Sequence, residues 1–378
     1  MDFILTLALL LILLANAKIA GEICERIGYN AVLGELLLGT LLGPSLLGIL
    51  NPSNEIIAFL AEVGVLFLLF EIGLESNLKA LLRVGIRATM VAIIGVVCPM
   101  ILGFGMFMFL GYSFLVSLLV GATMTATSVG ITMRVFSDLK KVDTVEGRII
   151  LSAAVIDDVL GLLILAIIAG LAQGQELSIY NIGKILLLSV GFLIITILLG
   201  VVIMPSIFDY IGKLKAKEAI VCFSLVFAGF LGIFAQEIGL AAIVGVFLAG
   251  LLLTRTNYAK ELHFKINSIS SIFIPFFFIV AGAHISLTAF TSLNSLTIIL
   301  VLLLLACIGK IASGLAVKNV ASSLIVGIGM IPRGEVGLIF AQYGLTYSLI
   351  DSSLYSVLVT VILLTTFITP ILLKKMLD

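Results

Sequence analysis

The sequence predicts an all-α polytopic membrane protein of about thirteen transmembrane helices. Three observations carry that expectation: a surface too apolar for water, apolar runs of helix-spanning length, and basic residues sorted to alternate loops. Of 378 residues, 62% are hydrophobic and 11% charged, and the mean hydropathy is +1.33. A soluble domain keeps roughly a quarter of its residues charged, and a single soluble core stops growing near this size. The remaining solvent is lipid. Each spanning helix needs about 20 apolar residues, and the runs here are of that order, without the short alternation of a membrane barrel. The net charge is zero, so no polybasic tail offers itself to nucleic acid. Cys24, Cys98, Cys222 and Cys307 have no metal spacing and read as small apolar fillers.

Breaks in hydrophobicity place the elements in order. The first helix, near 3–20, follows Asp2 rather than a basic stretch, and its apolar run continues toward Ile19, so it reads as a span rather than a cleaved signal. A segment with Lys18 and Arg26 leads to the helix near 30–50, and the loop around Asn51–Asn54 to the one near 55–74. Lys79, Arg83 and Arg87 precede the helix near 86–111, and Gly111–Ser113 the one near 113–135. Arg134, Lys140, Lys141 and Arg148 lead into 148–172, and Gln173–Tyr180 into 178–204. Lys213, Lys215 and Lys217 come before 218–236, and Glu237–Gly239 before 239–254. Arg255, Lys260 and Lys265 precede 267–285; Ser286–Leu293 leads to 293–317; Lys318 to 321–344; and Thr346–Asp351 to 350–373, with Lys374 and Lys375 beyond. Every second loop is therefore basic and the others carry no Lys or Arg. By the positive-inside rule the N-terminus is outside and the C-terminus cytoplasmic. One miscounted helix would invert the sorting downstream.

Only Lys184, Lys310 and Arg333 fall outside the pattern. Lys184 begins a helix on the outer side and can snorkel to the headgroups; Lys310 and Arg333 cannot. Asp157 and Asp158 lie nine and ten residues beyond Arg148, roughly 14 Å along a helix and near mid-membrane. Lys310, eight residues before Lys318, has similar depth. A charge at the bilayer centre costs about 2.5–3.5 kcal/mol on insertion scales, so three such side chains must pair or meet water. Successive helix positions point about 100° apart. One aspartate can therefore meet Lys310 while the other faces a water-filled cavity, and two close carboxylates in a low dielectric resist ionising together. That suits groups that accept a proton at one moment and a cation at another; a lysine–aspartate pair that merely staples two helices is the plainer alternative.

Two stretches at the same depth interrupt their helices. GATMTATSVGITMR is dense in small hydroxyl residues, and in GIGMIPRGEVGL Pro332 and two glycines disturb regular hydrogen bonding. Broken helices are tolerated in membranes where they line protein or a water-filled cavity. Thr127 and Ser128 offer oxygens suited to a small hard cation such as sodium, or alternatively allow close helix packing. Arg333 and Glu335 read as mutual partners or as ties for free helix ends, ahead of direct ion contact. The interrupted helices are fifth and twelfth, an odd separation, so they cross in opposite directions, as in an inverted-topology repeat. Identity between the halves is negligible, so the repeat rests on topology alone.

The series VLGELLLGTLLGP, VLFLLFEIGLE, TATSVGIT, AAVIDDVLGL, the isolated Lys310 and IPRGEVGLI resembles the monovalent cation/proton antiporters, most closely the electrogenic NapA-type sodium/proton antiporters, over essentially the whole chain. The resemblance implies a homodimer of thirteen-helix subunits, each with a dimerisation domain (approximately 1–50 and 178–254) and an elevator-type core (approximately 55–172 and 267–344). It implies that Asp158 is the ion-binding carboxylate and that Asp157 pairs with Lys310. Thr127 and Ser128 would lie in one unwound crossing and Glu335 in the other. Aspartate rather than asparagine at position 157 implies electrogenic exchange. The end at ILLKKMLD implies no cytoplasmic nucleotide-binding domain of the kind potassium-efflux relatives carry. The expected activity is exchange of sodium or lithium for protons across the plasma membrane. Its only ligands are the transported ions and lipid, no cofactor is needed, and the chain is not an enzyme. Potassium/proton exchange, a sodium-coupled organic-anion carrier and a passive channel are rivals. An intramembrane aspartyl protease is not, because it needs two aspartates face to face from separate helices.

Overall fold

The computed structural model describes residues 3–76, 85–172, 179–317 and 320–377. Lys79, Arg83 and Lys318, which entered the orientation assignment, lie outside them, as does most of the expected outer loop Gln173–Tyr180. Among the described residues there are fifteen α-helices and no strand. In chain order these are α1 Phe3–Arg26, α2 Ala31–Leu42, α3 Glu55–Glu75, α4 Ile86–Phe109, α5 Phe114–Thr123, α6 Val129–Asp138, α7 Val145–Ala172 and α8 Ile179–Ile211. They continue as α9 Ala219–Glu237, α10 Ala242–Leu253, α11 Ala259–Ala283, α12 Leu293–Ile311, α13 Val320–Gly329, α14 Glu335–Thr346 and α15 Ser352–Leu377. Nine of the described helices are long and apolar enough to cross a membrane; α2 and α10 are shorter apolar helices.

Local chemistry sets the helix ends. Asn30, Asn54 and Ser113 accept hydrogen bonds from the first-turn amides of α2, α3 and α5, satisfying donors that lipid could not. After α4 and α9 the chain turns through Gly111 and Gly239, at φ 83° and 84°. Tyr112 N then reaches Phe107 O at 3.0 Å and Leu240 N reaches Ala235 O at 2.9 Å. Both are six-to-one closures of the kind that favours glycine in the left-handed region.

Several boundaries differ from the sequence expectation. The helix expected near 30–50 stops at Leu42, because Gly43 caps it in an extended conformation and Pro44 follows. The one expected from 267 begins at Ala259; its polar first turns (AKELHFKI) are helical but invisible to hydropathy. The helices expected near 113–135 and 321–344 each consist of two pieces, α5/α6 and α13/α14.

The chain divides into two compact units, Met1–Leu78 with Gln173–His284, and Lys79–Ala172 with Ile285–Asp378. In the first, α3 packs on α10 and α11, α2 on α1 and α11, and α9 on α10. Glycines bring these helices to backbone contact. A Cβ on Gly39 would lie 2.0 Å from Ile279 O and one on Gly282 2.1 Å from Leu36 O; Gly73 and Gly250 meet Phe247 O and Phe70 O at 2.2 and 2.3 Å. In the second unit α4 packs on α5, α7 and α12, α15 on α12, and α14 on α5 and α15. Thus α3 and α11 pack in the first unit, whereas the expected core elements 55–172 and 267–344 grouped them with the second unit's helices.

The element order repeats: α1–α7 and α9–α15 each run as three helices, a long helix, a broken pair and a long helix. A trace of that repeat is in the sequence after all. AVLGELLLGTLL in α2 and AIVGVFLAGLLL in α10 share the glycine spacing Gly34/Gly39 and Gly245/Gly250. Gly34 and Gly245 occupy like positions, against Ala20 O and Leu231 O. Gly39→Ala must force the α2–α11 crossing apart, at about 1–3 kcal/mol for overpacking. A thermal-unfolding series in detergent should show a lowered Tm for it and an unchanged or slightly raised Tm for Gly105→Ala, inside α4, where a Cβ meets nothing within 4 Å.

Candidate functional site

The second unit contains every residue singled out above as a candidate. α5 ends at Thr123 because the following hydroxyl turns inward: Thr125 Oγ1 donates to Ala122 O at 2.8 Å, one of the side-chain bonds that compete with a helix ladder. α13 ends at Gly329, and Pro332 supplies no amide with which to continue it. The two breaks lie against one another. Ser128 N donates to Pro332 O at 2.8 Å, Thr132 Oγ1 to Gly329 O at 2.6 Å, and Thr127 Oγ1 to Met330 O at 3.4 Å. A Cβ on Gly334 would come within 2.6 Å of the Ser128 side chain, so the crossing closes only with glycine there.

Arg333 ties down the carbonyls that the breaks leave open. Its Nε and Nη2 donate to Met124 O at 3.1 and 2.8 Å, its Nη1 to Ile331 O at 2.8 Å, and its Nη2 also to Ala306 O at 3.0 Å. A cation is thereby placed where α5 and α13 end, the favourable end of each helix dipole. Glu335 opens α14, the opposite kind of end, and accepts from Ser128 Oγ at 3.5 Å. Arg333 thus lies at free helix ends and Glu335 at the start of α14. No ion pair joins them among the described residues; the guanidinium makes four hydrogen bonds, all to carbonyls.

Two residues unflagged by the sequence complete the crossing: Thr365 Oγ1 accepts from Arg333 N at 3.3 Å and Thr366 Oγ1 donates to Arg333 O at 2.7 Å. The signal was there, a pair of adjacent hydroxyls in the apolar run ILLTTFITP, but hydroxyls back-bond so readily in membrane helices that it points nowhere by itself.

Lys310, on α12, is 0% exposed at its side chain and Asp157, on α7, 1%. The ammonium lies 3.3 and 3.4 Å from the two Asp157 carboxylate oxygens and donates to Thr127 Oγ1 at 2.6 Å. Beside it, a Cβ on Gly309 would come within 2.7 Å of the Pro99 backbone, so α12 and α4 touch at backbone distance. Thr127 is satisfied on both sides, by Lys310 and by Met330 O. Asp158, the next residue on α7, is half-buried and makes no hydrogen bond or ion pair among the described residues, while the charges of Asp157 and Glu335 bear on it. The arrangement is a paired carboxylate and a free one on adjacent positions, beside two broken helices.

The sequence profile of a family described as "Sodium/hydrogen exchanger, transmembrane" matches residues 7–378. The chain is 34% identical to the high-affinity Na(+)/H(+) antiporter NhaS3 of Synechocystis, over 96% of this chain and 87% of that one. It is 33% identical to the Na(+)/H(+)-K(+) antiporter GerN of Bacillus cereus, over 99% of this chain and 96% of that one. Its fold resembles the solved structure of the sodium proton antiporter MjNhaP1 from Methanocaldococcus jannaschii, with a TM-score of 0.79, 20% identity, and 100% of this chain and 99% of that one covered. With the profile spanning nearly the whole chain, the protein belongs to the sodium/hydrogen exchanger family of transmembrane proteins, within the monovalent cation/proton antiporters that its motifs resemble.

Proposed function

We propose that this protein exchanges sodium, or lithium, for protons by alternating access, with Asp158 and Asp157 taking cation or proton in turn. The observation that carries the reading is the contrast between two neighbouring carboxylates, one locked to a fully buried lysine and one without a partner. The family and the names of the relatives agree with it. Sodium arriving at Asp158 needs further oxygens, and Asp157 and Thr127 are both engaged by Lys310. Binding therefore releases the Asp158 proton and displaces the ammonium, which becomes an unpaired charge and gives up its own proton to the water that enters with the cation. On the opposite side sodium leaves, and protons return to Asp158 and Lys310. Ser128 contributes oxygen from the break, while Arg333 and Glu335 hold the crossing in shape. Cation and proton compete for one site, which enforces exchange, and moving protons in excess of sodium makes it electrogenic.

The remaining architecture follows the same reading. Nine long spans, α2, α10 and the two broken pairs make thirteen crossings, inverted between the halves, with the N-terminus outside and the C-terminus cytoplasmic in the plasma membrane. The second unit, with the Asp157–Lys310 pair, Asp158 and the crossing of the two breaks, is the moving core, and the first is the scaffold of a homodimer. Its glycine-tight crossings support that role. The name of GerN joins potassium to sodium and protons, so potassium/proton exchange at the same site is the second reading.

Proteoliposomes with a preset pH gradient decide between them. Sodium or lithium should dissipate the gradient through the wild type and have no effect through Asp158→Asn; a response to potassium alone moves the function to potassium/proton exchange. A mutant that matches wild type would remove Asp158 from the mechanism. Lys310→Met strands the Asp157 charge and should cost about 3–5 kcal/mol of stability, whereas the double variant with Asp157→Asn removes both charges and should recover most of it. Denaturation midpoints in detergent test this; a double variant no more stable than Lys310→Met would show that the pair does not couple as described.

A further inference from the structure

α14 continues past the exchange site as EVGLIFAQYGLT. At 100° per residue Gln342 lies about 20° from the direction of Glu335 and Thr346 about 20° to the other side, so the three form one polar stripe on an otherwise apolar helix. At 1.5 Å per residue Gln342 is about 10 Å further from the break than Glu335. The other faces of α14 are taken by protein. Gly337 packs beside Thr123 O and Ile362, Gly344 against Leu119, and Val336 toward Gly161. Buried Ile339 is the apolar residue within the stripe.

Gln342 differs from the serine and threonine hydroxyls around it. Ser117, Thr123, Ser356 and Thr360, on the helices flanking α14, donate to carbonyls one turn back in their own helices at 2.6–2.9 Å, which satisfies them without water. An amide oxygen has no proton to donate, so this remedy is closed to it. Among the described residues Gln342 Oε1 is buried with no hydrogen-bond partner, as is the Tyr343 hydroxyl that follows it on α14. With the amide turned over, the same spot holds an orphaned NH2 instead. A polar head left without a partner in an apolar surround costs about 1–3 kcal/mol. Water or a cation reaching it would remove that cost, and the stripe leads from Asp158 and Glu335 to its position.

We propose that Gln342 is a second, transient station for the transported monovalent cation, binding it partly hydrated through the amide oxygen on the way between the exchange site and the extracellular side. This rests on the exchanger reading and its orientation. The station is separated from the exchange site by Ile339, so a cation there retains water and is passed on rather than held.

The test has two arms. In oriented proteoliposomes, Gln342→Leu should raise the KM for sodium added from the extracellular side about tenfold, the loss of one ion–dipole contact, with the cytoplasmic-side KM unchanged; Gln342→Glu, which keeps an oxygen, should not raise it. In a background with Cys98, Cys222, Cys307 and Cys24 replaced by serine, Gln342→Cys should react with a membrane-impermeant thiol reagent from the extracellular side only, and sodium should slow the reaction. Unchanged KM values, equal changes on both sides, or a Gln342→Cys that stays inert to the reagent from the extracellular side would each overturn the station. A wild type that moves no protons on sodium addition defeats the exchanger reading instead, and labelling and its sodium protection then decide the fate of the station alone.

Discussion

A peptide group released from a helix inside a membrane has no water to turn to, and nearly everything at this site follows from that constraint. Two helices break at the same depth, and their open carbonyls and amides must be satisfied by protein. Each break serves the other: Pro332 O takes the amide of Ser128, Gly329 O and Met330 O take the hydroxyls of Thr132 and Thr127. Arg333 gathers carbonyls from Met124, Ala306 and Ile331, and is itself held at both backbone groups by Thr365 and Thr366. A planar guanidinium spreads five donors in a rigid fork and here makes four bonds to three carbonyls; the compact three-donor ammonium of lysine lacks that spread.

Charge adds a second constraint. Three carboxylates, Asp157, Asp158 and Glu335, share the crossing with two cations, Lys310 and Arg333. With all five ionised the sum is three negative against two positive, one negative charge in excess. Arg333 is committed to carbonyls and Lys310 to Asp157, so the excess rests on Asp158 and Glu335. Low dielectric makes an uncompensated charge expensive, and a proton on Asp158 removes it; in the exchange proposed above, sodium in place of that proton with Lys310 neutral would leave one negative charge, the difference that makes the exchange electrogenic. The unpaired carboxylate and the fully paired one are thus parts of a single balance, and neither has meaning without the crossing that holds them.

Much of this was legible from residues alone. Asp157, Asp158 and Lys310 stood out because lipid makes charge improbable without cause, and Pro332 and the hydroxyl cluster marked the breaks because both disrupt a helix through known chemistry. What stayed hidden depends on backbone atoms. The carbonyls of Met124 and Ala306 have no side-chain signature, so the partners of Arg333 could not be named. The polar first turns of α11 were lost for a different reason: hydropathy reports burial in lipid, and a helix that emerges from lipid does not stop being a helix. The glycine spacing shared by α2 and α10 was present in the letters but too sparse to weigh as identity; its meaning appears only when each glycine is seen against a neighbouring carbonyl.

The contact between Gly309 and the Pro99 backbone has a consequence for time. Because α12 and α4 touch where Lys310 leaves its helix, the ammonium cannot be withdrawn from Asp157 by sliding α12 without parting two backbones. In the exchange proposed above it would leave by turning about its own side-chain bonds. Side-chain rotation belongs to a much faster class of motion than the microsecond-to-millisecond shifts of whole helices. Breaking the lysine–aspartate contact and moving the surrounding helices are then separable in the time domain, the first able to reach equilibrium many times within one occurrence of the second.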